Sequence, residues 1–210
     1  MYRFARVAQL AGDPVKSTGW AVTITEKVNR ISAVPVTLWT TVLSQPLGLV
    51  VWTASVDNVS EIETTDAKLM VDSGYLDLQA AGVGHIIPGS ISDSLATVVF
   101  QTPGAAQGHF HCVAVTMAQI QPGQFRRGVE LGVEFAQRAN ALTGLETSFA
   151  TSVTGTMGTV SWTLIADSLD ELQRGQDKLD TDESFVTLID PEGAKAYSPG
   201  ATVGYLRRLI

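Results

Sequence analysis

The chain has 210 residues, of which 45% are hydrophobic and 17% are charged, a balance typical of proteins that bury a core. Its formal net charge of -7, with basic residues only in scattered pairs, argues against nucleic-acid binding, because an acidic surface repels phosphate backbones. A single cysteine excludes an internal disulfide, and the sequence contains neither a signal-peptide pattern nor an apolar run of membrane-spanning length, so we expect a soluble cytoplasmic protein with no membrane partner.

The first predicted elements are a strand and a long helix. Residues 2–10 are rich in types that suit a strand. Asp13-Pro14 then supplies an N-cap side chain followed by a proline, whose fixed φ suits the first helical position. Small and apolar residues recur at three- and four-residue spacing from Ser17 to Ile31, which predicts one buried stripe on an amphipathic helix.

A hairpin, a second helix and a last strand complete the first half. Asn58 and Glu61 have the spacing of a capping box, which predicts a helix start. The Pro88-Gly89 dipeptide marks a turn before the last strand. Threonine and β-branched residues predict strands at 34–43, 49–54 and 94–101. The order of elements is therefore β-α-β-β-α-β.

The second half of the chain repeats the first at a shift of about 110 positions. The matched pairs include Ala8 and Ala118, Gln9 and Gln119, Gly48 and Gly158, Trp52 and Trp162, Glu61 and Glu171, Leu69 and Leu179, and the rings of Tyr75 and Phe185. Strands are predicted at 109–120, 146–153, 159–165 and 202–210, with helices at 122–141 and from Ser168. Apolar patterning alone does not align tryptophans, glycines and acids in one register, so we predict a duplication with units at 1–104 and 105–210.

These patterns predict an α+β fold made of two tandem ferredoxin-like units. Two helices cover only one face of a four-stranded sheet, and an uncovered second face would leave a large apolar patch in water. The other copy is the nearest partner for that face. We therefore expect the two antiparallel sheets to face each other as an intramolecular α/β barrel with the helices outside.

A tandem βαββαβ chain with a tryptophan in each third strand, a capped second helix and a late Pro-Gly turn resembles the dimeric α/β-barrel superfamily. The likeness is to its NIPSNAP-like and stress-responsive branches, in a fused form, and it covers nearly the whole chain through element order. It implies a wide range of functions, namely haem-dependent enzymes, cofactor-free monooxygenases, lactone isomerases and members without chemistry. The fold therefore does not choose the function.

Three histidines are candidates for chemistry. His85 lies in a glycine-rich segment before the Pro-Gly turn, where a catalytic group or a haem ligand could sit, although an inert surface histidine is the alternative. His109 and His111 are two apart on a predicted strand and share a face, so they could bind a metal together with a carboxylate. The favoured interpretation of this pair is the solvated start of a strand. Cys112 should point to the opposite face, which disfavours a Cys-His nucleophile.

Two groups of side chains are candidates for a ligand pocket. Trp20 and Trp39 are tryptophans in one half only, which favours a specific role in a pocket. The matched tryptophans, Trp52 and Trp162, are expected to be structural. Thr159, Ser161 and Thr163 alternate with apolar residues and give one strand a polar face. If that face points into the barrel, the interior is a polar-lined pocket.

The first strand offers three further candidates, Tyr2, Arg3 and Arg6, and alternation allows only one of the two arginines to face the interior. Phosphate-binding loops, dinucleotide fingerprints, HExxH and GxSxG elements are absent from the sequence. The acids at 57, 61, 167 and 171 are explained by helix capping.

Two functions from different classes follow. The first is a barrel that binds a small apolar or aromatic molecule, with monooxygenase- or haem-type chemistry as its enzymatic form. The alternative is a non-catalytic structural or protein-interaction module that assembles into an oligomer, since no catalytic group is repeated in both halves. Barrels of this class often associate further, so a homo-oligomer is compatible with either function. Whether the protein is an enzyme stays open at this stage.

Overall fold

The computed structural model describes residues 1–44, 46–103 and 110–210. In these ranges the predicted order of strands and helices occurs twice, so the α+β class with two ferredoxin-like halves is confirmed. None of the helices in the described residues has the length and hydropathy needed to cross a lipid bilayer.

The first half contains four strands and three helices. The elements are β1 (Tyr2–Gln9), α1 (Pro14–Ile31), β2 (Val36–Val42), β3 (Leu49–Val56), α2 (Ser60–Leu69), α3 (Ser73–Ala81) and β4 (Ser92–Gln101). The Asp13 side chain accepts from the amides of Val15 and Lys16, as expected of an N-cap. The segment before the Pro-Gly turn, predicted as a loop, continues α3 as a 3₁₀ turn over Gly82–Gly84.

The second half has the same order with one extra short helix. The elements are β5 (Cys112–Gln119), α4 (Phe125–Thr143), β6 (Glu146–Ser152), β7 (Thr159–Ala166), α5 (Leu169–Thr181), α6 (Glu183–Leu188), α7 (Ala194–Ala196) and β8 (Thr202–Arg208). The long helix α4 begins three residues later than predicted, because Gly123 has a φ of +81° and forms a turn after Pro122.

The contacts divide the chain into two compact units that differ from its two halves. Unit 1 comprises Met1–Leu95 with Arg207–Ile210, and unit 2 comprises Ala96–Leu206. In unit 2 the 96–101 part of β4 pairs with β6, and in unit 1 the Leu209 amide donates to the Leu38 carbonyl at 2.8 Å. Each unit therefore includes the end of the last strand of the other half. The boundary between 104 and 105 stays a prediction about the repeat.

In unit 1, β3 lies between β1 and β2, and all pairs are antiparallel. Alternation sends Ala8, Leu38 and Val50 to the face that packs on α1, where they form a core cluster with Ala21. The same face carries Arg6 and Trp52. The helix-facing side of this sheet is therefore the inner wall of unit 1.

In unit 2, β7 lies between β5 and β6, with β4 beyond β6. The main core cluster joins Leu131 and Phe135 of α4 to Phe149 and Val160 of the sheet. A Cβ added at Gly132 would overlap the Phe149 ring, so this glycine allows the helix to approach the sheet closely.

The two halves repeat individual backbone bonds as well as element order. The Leu10 amide donates to the Gly48 carbonyl at 2.8 Å, and the Ile120 amide donates to the Gly158 carbonyl at 2.9 Å. Both glycines have positive φ, near +80°, which other residues rarely adopt. Gly48 and Gly158 are therefore matched because the hairpin turn requires this backbone conformation.

Candidate active site in unit 1

A cavity of about 400 Å³ lies in unit 1 between the sheet and the helices. Its walls come from β1, β3 and all three helices of this half, and most of the lining is aliphatic or aromatic. The side chains that shape it include Phe4, Trp20, Ile24, Trp52, Leu69 and Tyr75. Both the volume and the apolar lining fall in the range typical of small-molecule sites.

Arg6 is the cationic group of this cavity. Its Nε and Nη2 atoms donate to the two carboxylate oxygens of Asp93, at 2.8 and 2.7 Å, so that the guanidinium is held in a bidentate pair. The hydrogen bond to Asp93 raises the pKa of Arg6. The guanidinium carbon lies 5.8 Å from the centre of the Phe4 ring. The Asp93 pair leaves Nη1 outside these two bonds.

Tyr75 is another polar residue on the lining of the cavity. Its ring packs with Ile24 and Leu69, and its amide donates to the Asp72 side chain at 2.8 Å, which fixes the start of α3. Burial raises the pKa of the Tyr75 phenol, so the hydroxyl is protonated at neutral pH. Among the described residues its hydroxyl has no hydrogen-bond partner. It is therefore a free donor on an apolar wall.

Two tryptophans give the cavity its rigid walls. The Trp20 indole donates to the Leu78 carbonyl at 2.8 Å, and the Trp52 indole donates to the Thr25 hydroxyl at 2.7 Å. The rings meet edge to face with centroids 6.5 Å apart. Gly82 lies against Trp20, where a Cβ would overlap the indole.

His85 does not line this cavity. Its Nδ1 lies 3.0 Å from the Ser17 hydroxyl, and its ring stacks on the pocket residue Trp20 with centroids 5.7 Å apart. The Ser17 hydroxyl donates to the Ala11 carbonyl, so His85 Nδ1 carries the proton in this hydrogen bond. This geometry gives His85 a supporting position beside the wall, and the catalytic role stays a prediction.

The other pocket candidates lie apart from this cavity. Trp39 is on the opposite face of the unit 1 sheet, where its indole donates to the Thr53 hydroxyl at 2.9 Å. Thr163 lines a second cavity, in unit 2, and shares a hydrogen bond of 2.6 Å with Ser148. Thr159 bonds to Gln119 at the start of β7, and Ser161 lines neither cavity. Of the predicted ligand residues, only Trp20 lines the cavity in unit 1.

The histidine pair gives no metal site in the described part of the chain. His111 is exposed, and its amide donates to the Ala166 carbonyl at 3.2 Å. His109 lies outside the described residues. Within 1–44, 46–103 and 110–210, no group of three His, Cys, Asp or Glu side chains is placed to hold a metal ion.

Comparison with known proteins gives a likeness in structure only. No protein-family model matches the sequence, and no curated protein matches it. A proposed monooxygenase from Fusobacterium nucleatum subsp. nucleatum is 10% identical with a TM-score of 0.71, over 100% of this chain and 92% of that one. An anthrone oxidase-like protein is 11% identical with a TM-score of 0.68, over 100% and 91%. A proposed chlorite dismutase is 10% identical with a TM-score of 0.58, over 100% and 96%.

At this level of identity the comparisons show the fold alone. The likeness extends over the whole of this chain and agrees with the predicted fold of two ferredoxin-like halves. Arg6 and Tyr75 line the cavity because of the faces that β1 and α3 turn toward it. Their placement is therefore independent of these comparisons.

Haem, which the sequence resemblance implied, does not fit the residues that line the two cavities. Haem iron is held by histidine, cysteine, methionine or tyrosinate. Among the described lining residues none is His, Cys or Met. The tyrosines are Tyr75 and Tyr197, and burial raises the pKa of both phenols, which opposes the tyrosinate form that binds iron. The Tyr197 hydroxyl also donates to the Gly128 carbonyl.

Proposed function

We propose that this protein binds a small aromatic molecule that carries a carbonyl or hydroxyl oxygen, in the cavity of unit 1. The observation that carries the proposal is that two donors, the Tyr75 hydroxyl and Arg6 Nη1, belong to residues that line one mostly apolar cavity. Such a cavity selects a ligand by shape and apolar burial, and orients it through one or two polar groups.

The charges around the cavity narrow the ligand class. Arg6 is paired with Asp93, and Asp66 also lies on the lining, so these three side chains together carry a net charge of -1. A phosphate or other dianion would bring two further negative charges into a mostly apolar site where Arg6 is already paired. A neutral oxygen acceptor can accept from both donors without that cost.

The enzymatic form of this proposal is cofactor-free oxygenation of the bound ring, in line with the monooxygenase and anthrone oxidase-like names of the structural neighbours. Dioxygen would supply one oxygen atom to a ring methylene, which becomes a carbonyl, and the other would leave as water with both methylene hydrogens. Tyr75 and Arg6 would stabilise negative charge on the ring oxygen while the carbon loses its proton.

Binding of anthrone, a three-ring ketone, tests the proposal. Calorimetric titration without oxygen should show one site in unit 1, and Tyr75→Phe should weaken it about tenfold, since it removes one hydrogen bond to a buried oxygen. Arg6→Met should weaken binding at least as much. Tyr75→Phe should fold, because unit 2 has Phe185 at the matched position.

The matched control is Trp39→Phe, which changes an indole on the opposite face of the same sheet and should bind anthrone as the natural chain does. The proposal is wrong if Tyr75→Phe and Arg6→Met both bind as tightly as the control. Oxygen uptake with bound anthrone then tests the enzymatic form separately, since binding without uptake supports a binding protein.

Several finer predictions accompany this proposal. Membership of the NIPSNAP-like or stress-responsive branches, internal duplication of an ancestral unit, cytoplasmic location and homo-oligomer formation all remain predictions from the sequence. The repeated hairpin bonds described above support duplication. Size-exclusion chromatography with light scattering would measure the oligomeric state directly.

A further inference from the structure

The second cavity of the described chain lies in unit 2 and is larger, at about 620 Å³. It occupies the same position relative to its own sheet and helices as the first, between β5, β7 and the helices α4, α5 and α6. Its lining includes Ala114, Ala118, Phe135, Trp162 and Leu179. The repeat therefore provides two cavities, which can be compared position by position.

Three matched positions make the two cavities chemically different. Phe4 of unit 1 corresponds to Ala114, which removes a ring and opens the wall at β5. Arg6 corresponds to Thr116, which removes the positive charge. Tyr75 corresponds to Phe185, which removes the free hydroxyl. Both donors that define the first site are thus absent from the second.

The polar side chains around the second cavity are largely engaged with protein atoms. The Tyr197 hydroxyl donates to the Gly128 carbonyl, and Gln121 Nε2 donates to the carbonyls of Ala194 and Tyr197 at 3.0 and 3.1 Å. The Thr147 hydroxyl donates to the Ala136 carbonyl at 3.0 Å. The charged side chain among the lining residues is Asp190, and it is exposed at the rim.

We propose that unit 2 holds a second ligand site, for an uncharged and largely hydrocarbon ring system bulkier than the ligand of unit 1. A molecule without strong acceptors suits these largely engaged side chains, whereas it would leave the Tyr75 hydroxyl and Arg6 Nη1 without an acceptor in the first cavity. This inference goes beyond the proposed function, which concerns unit 1 alone.

The lining of the second cavity explains why it is a site and not a packing gap. Small residues keep it open, namely Ala114, Ala118, Ala136, Ala139 and Gly193. Interiors normally contain few voids larger than a water molecule, and cavities with apolar walls offer water few partners. Such cavities take up apolar ligands readily.

The test uses N-phenyl-1-naphthylamine, an uncharged aromatic probe that fluoresces in apolar sites. Ala114→Phe places in unit 2 the ring that unit 1 has at this position, so it should fill the cavity and weaken probe binding at least tenfold. The matched control is Ala54→Leu, which places in unit 1 the residue that unit 2 has at 164. That control should change probe affinity less than twofold.

A second measurement uses the natural chain, so it does not depend on how Ala114→Phe folds. Alanine methyl groups report on each cavity, through Ala114, Ala118 and Ala139 in unit 2 and Ala8 and Ala54 in unit 1. Probe-induced NMR shifts concentrated on the unit 2 methyls support the second site. Shifts confined to the unit 1 methyls, or no probe binding at all, overturn it and leave the anthrone test of unit 1 unaffected.

Discussion

Trp52 in unit 1 and Trp162 in unit 2 occupy matched positions in β3 and β7, yet their indole N–H groups bond to different kinds of acceptor. Trp52 donates to the Thr25 hydroxyl at 2.7 Å, and that hydroxyl donates in turn to the Ala21 carbonyl at 2.6 Å. Trp162 donates to the backbone carbonyl of Gly132 at 2.9 Å. The two halves therefore share the ring at this position but support it differently.

The difference shows that the same fold can fix matched tryptophans by two different means. Unit 1 holds its tryptophan through a side chain, the Thr25 hydroxyl. Unit 2 holds its tryptophan through a backbone carbonyl at a glycine where Phe149 packs closely. In unit 2 the support of the tryptophan therefore depends on the close approach of the helix backbone, and in unit 1 it depends on a side-chain hydroxyl.

The largest effect is expected for Gly132→Ala. The added methyl would overlap the Phe149 ring, and overpacking of this kind should lower the free energy of unfolding by about 3 kcal/mol. Urea denaturation measures it. The control is Gly19→Ala in α1, where a Cβ meets open space, and this change should stabilise the protein by about 0.5–1 kcal/mol. Equal effects at the two glycines would contradict the role given to Gly132.

The next effect is expected for Thr25→Val. The substitution keeps the volume but leaves the Trp52 indole N–H without its acceptor, which should cost about 2 kcal/mol. Thr147→Val is the matched control in unit 2, because its hydroxyl is only a donor to the Ala136 carbonyl and its loss should cost about 1 kcal/mol. A red shift of tryptophan emission in Thr25→Val alone would identify the affected ring.

A smaller effect distinguishes the starts of α5 and α2. The Ser168 hydroxyl accepts from the Glu171 amide at 3.2 Å, so Ser168→Ala should cost about 1 kcal/mol. The Asn58 side chain accepts from the Ser60 amide, while the Glu61 amide bonds to the Asn58 carbonyl, which Asn58→Ala leaves in place. Asn58→Ala should therefore cost only about 0.3 kcal/mol. A larger loss for Asn58→Ala than for Ser168→Ala would be inconsistent with these caps.

The smallest expected effect on the free energy of unfolding at neutral pH comes from the buried phenols of Tyr75 and Tyr197. Burial raises the pKa of Tyr197 and of Tyr75 in the folded state above about 10, the value of the unfolded chain. Their contribution to stability is fully present below pH 10 and is lost as pH rises above it, by at most about 1.4 kcal/mol per pH unit for each group. Denaturation between pH 9 and 11 should show a shallower decline in Tyr197→Phe than in the natural chain.

Element order was readable from the sequence because hydrophobic periodicity and turn chemistry are local. The paired glycines, the Asp13 N-cap and the Ser168–Glu171 cap all form as predicted. The first capping box forms only in part, since Glu61 bonds back to the Asn58 amide at 2.8 Å while the Asn58 side chain bonds to Ser60. Helix α3 is not a clear prediction from the sequence, because its apolar residues have no clear helical period.

The candidate site could be predicted less well than the element order, because it depends on which faces of the strands and helices pack together. Trp20 was selected for its occurrence in one copy, and it does line the cavity of unit 1. Tyr75 drew attention only as a ring matched to Phe185, although the hydroxyl that distinguishes the two was the useful signal. Arg6 shares a face with Phe4 and Ala8, and only the packing of α1 on Ala8 reveals that this face meets the helices.

Unit 1 is built from both ends of the chain, which has a consequence for its folding during synthesis on the ribosome. Its compact set of residues includes Arg207–Ile210, and the Leu209 amide and Ile210 carbonyl bond to Leu38 of β2. These partners are separated by most of the chain, so the pairing carries a high loop-closure cost and forms late. Unit 1 is therefore synthesised first but completed last. In nascent chains that stop before residue 207, β2 should lack the pairing with the 209–210 segment.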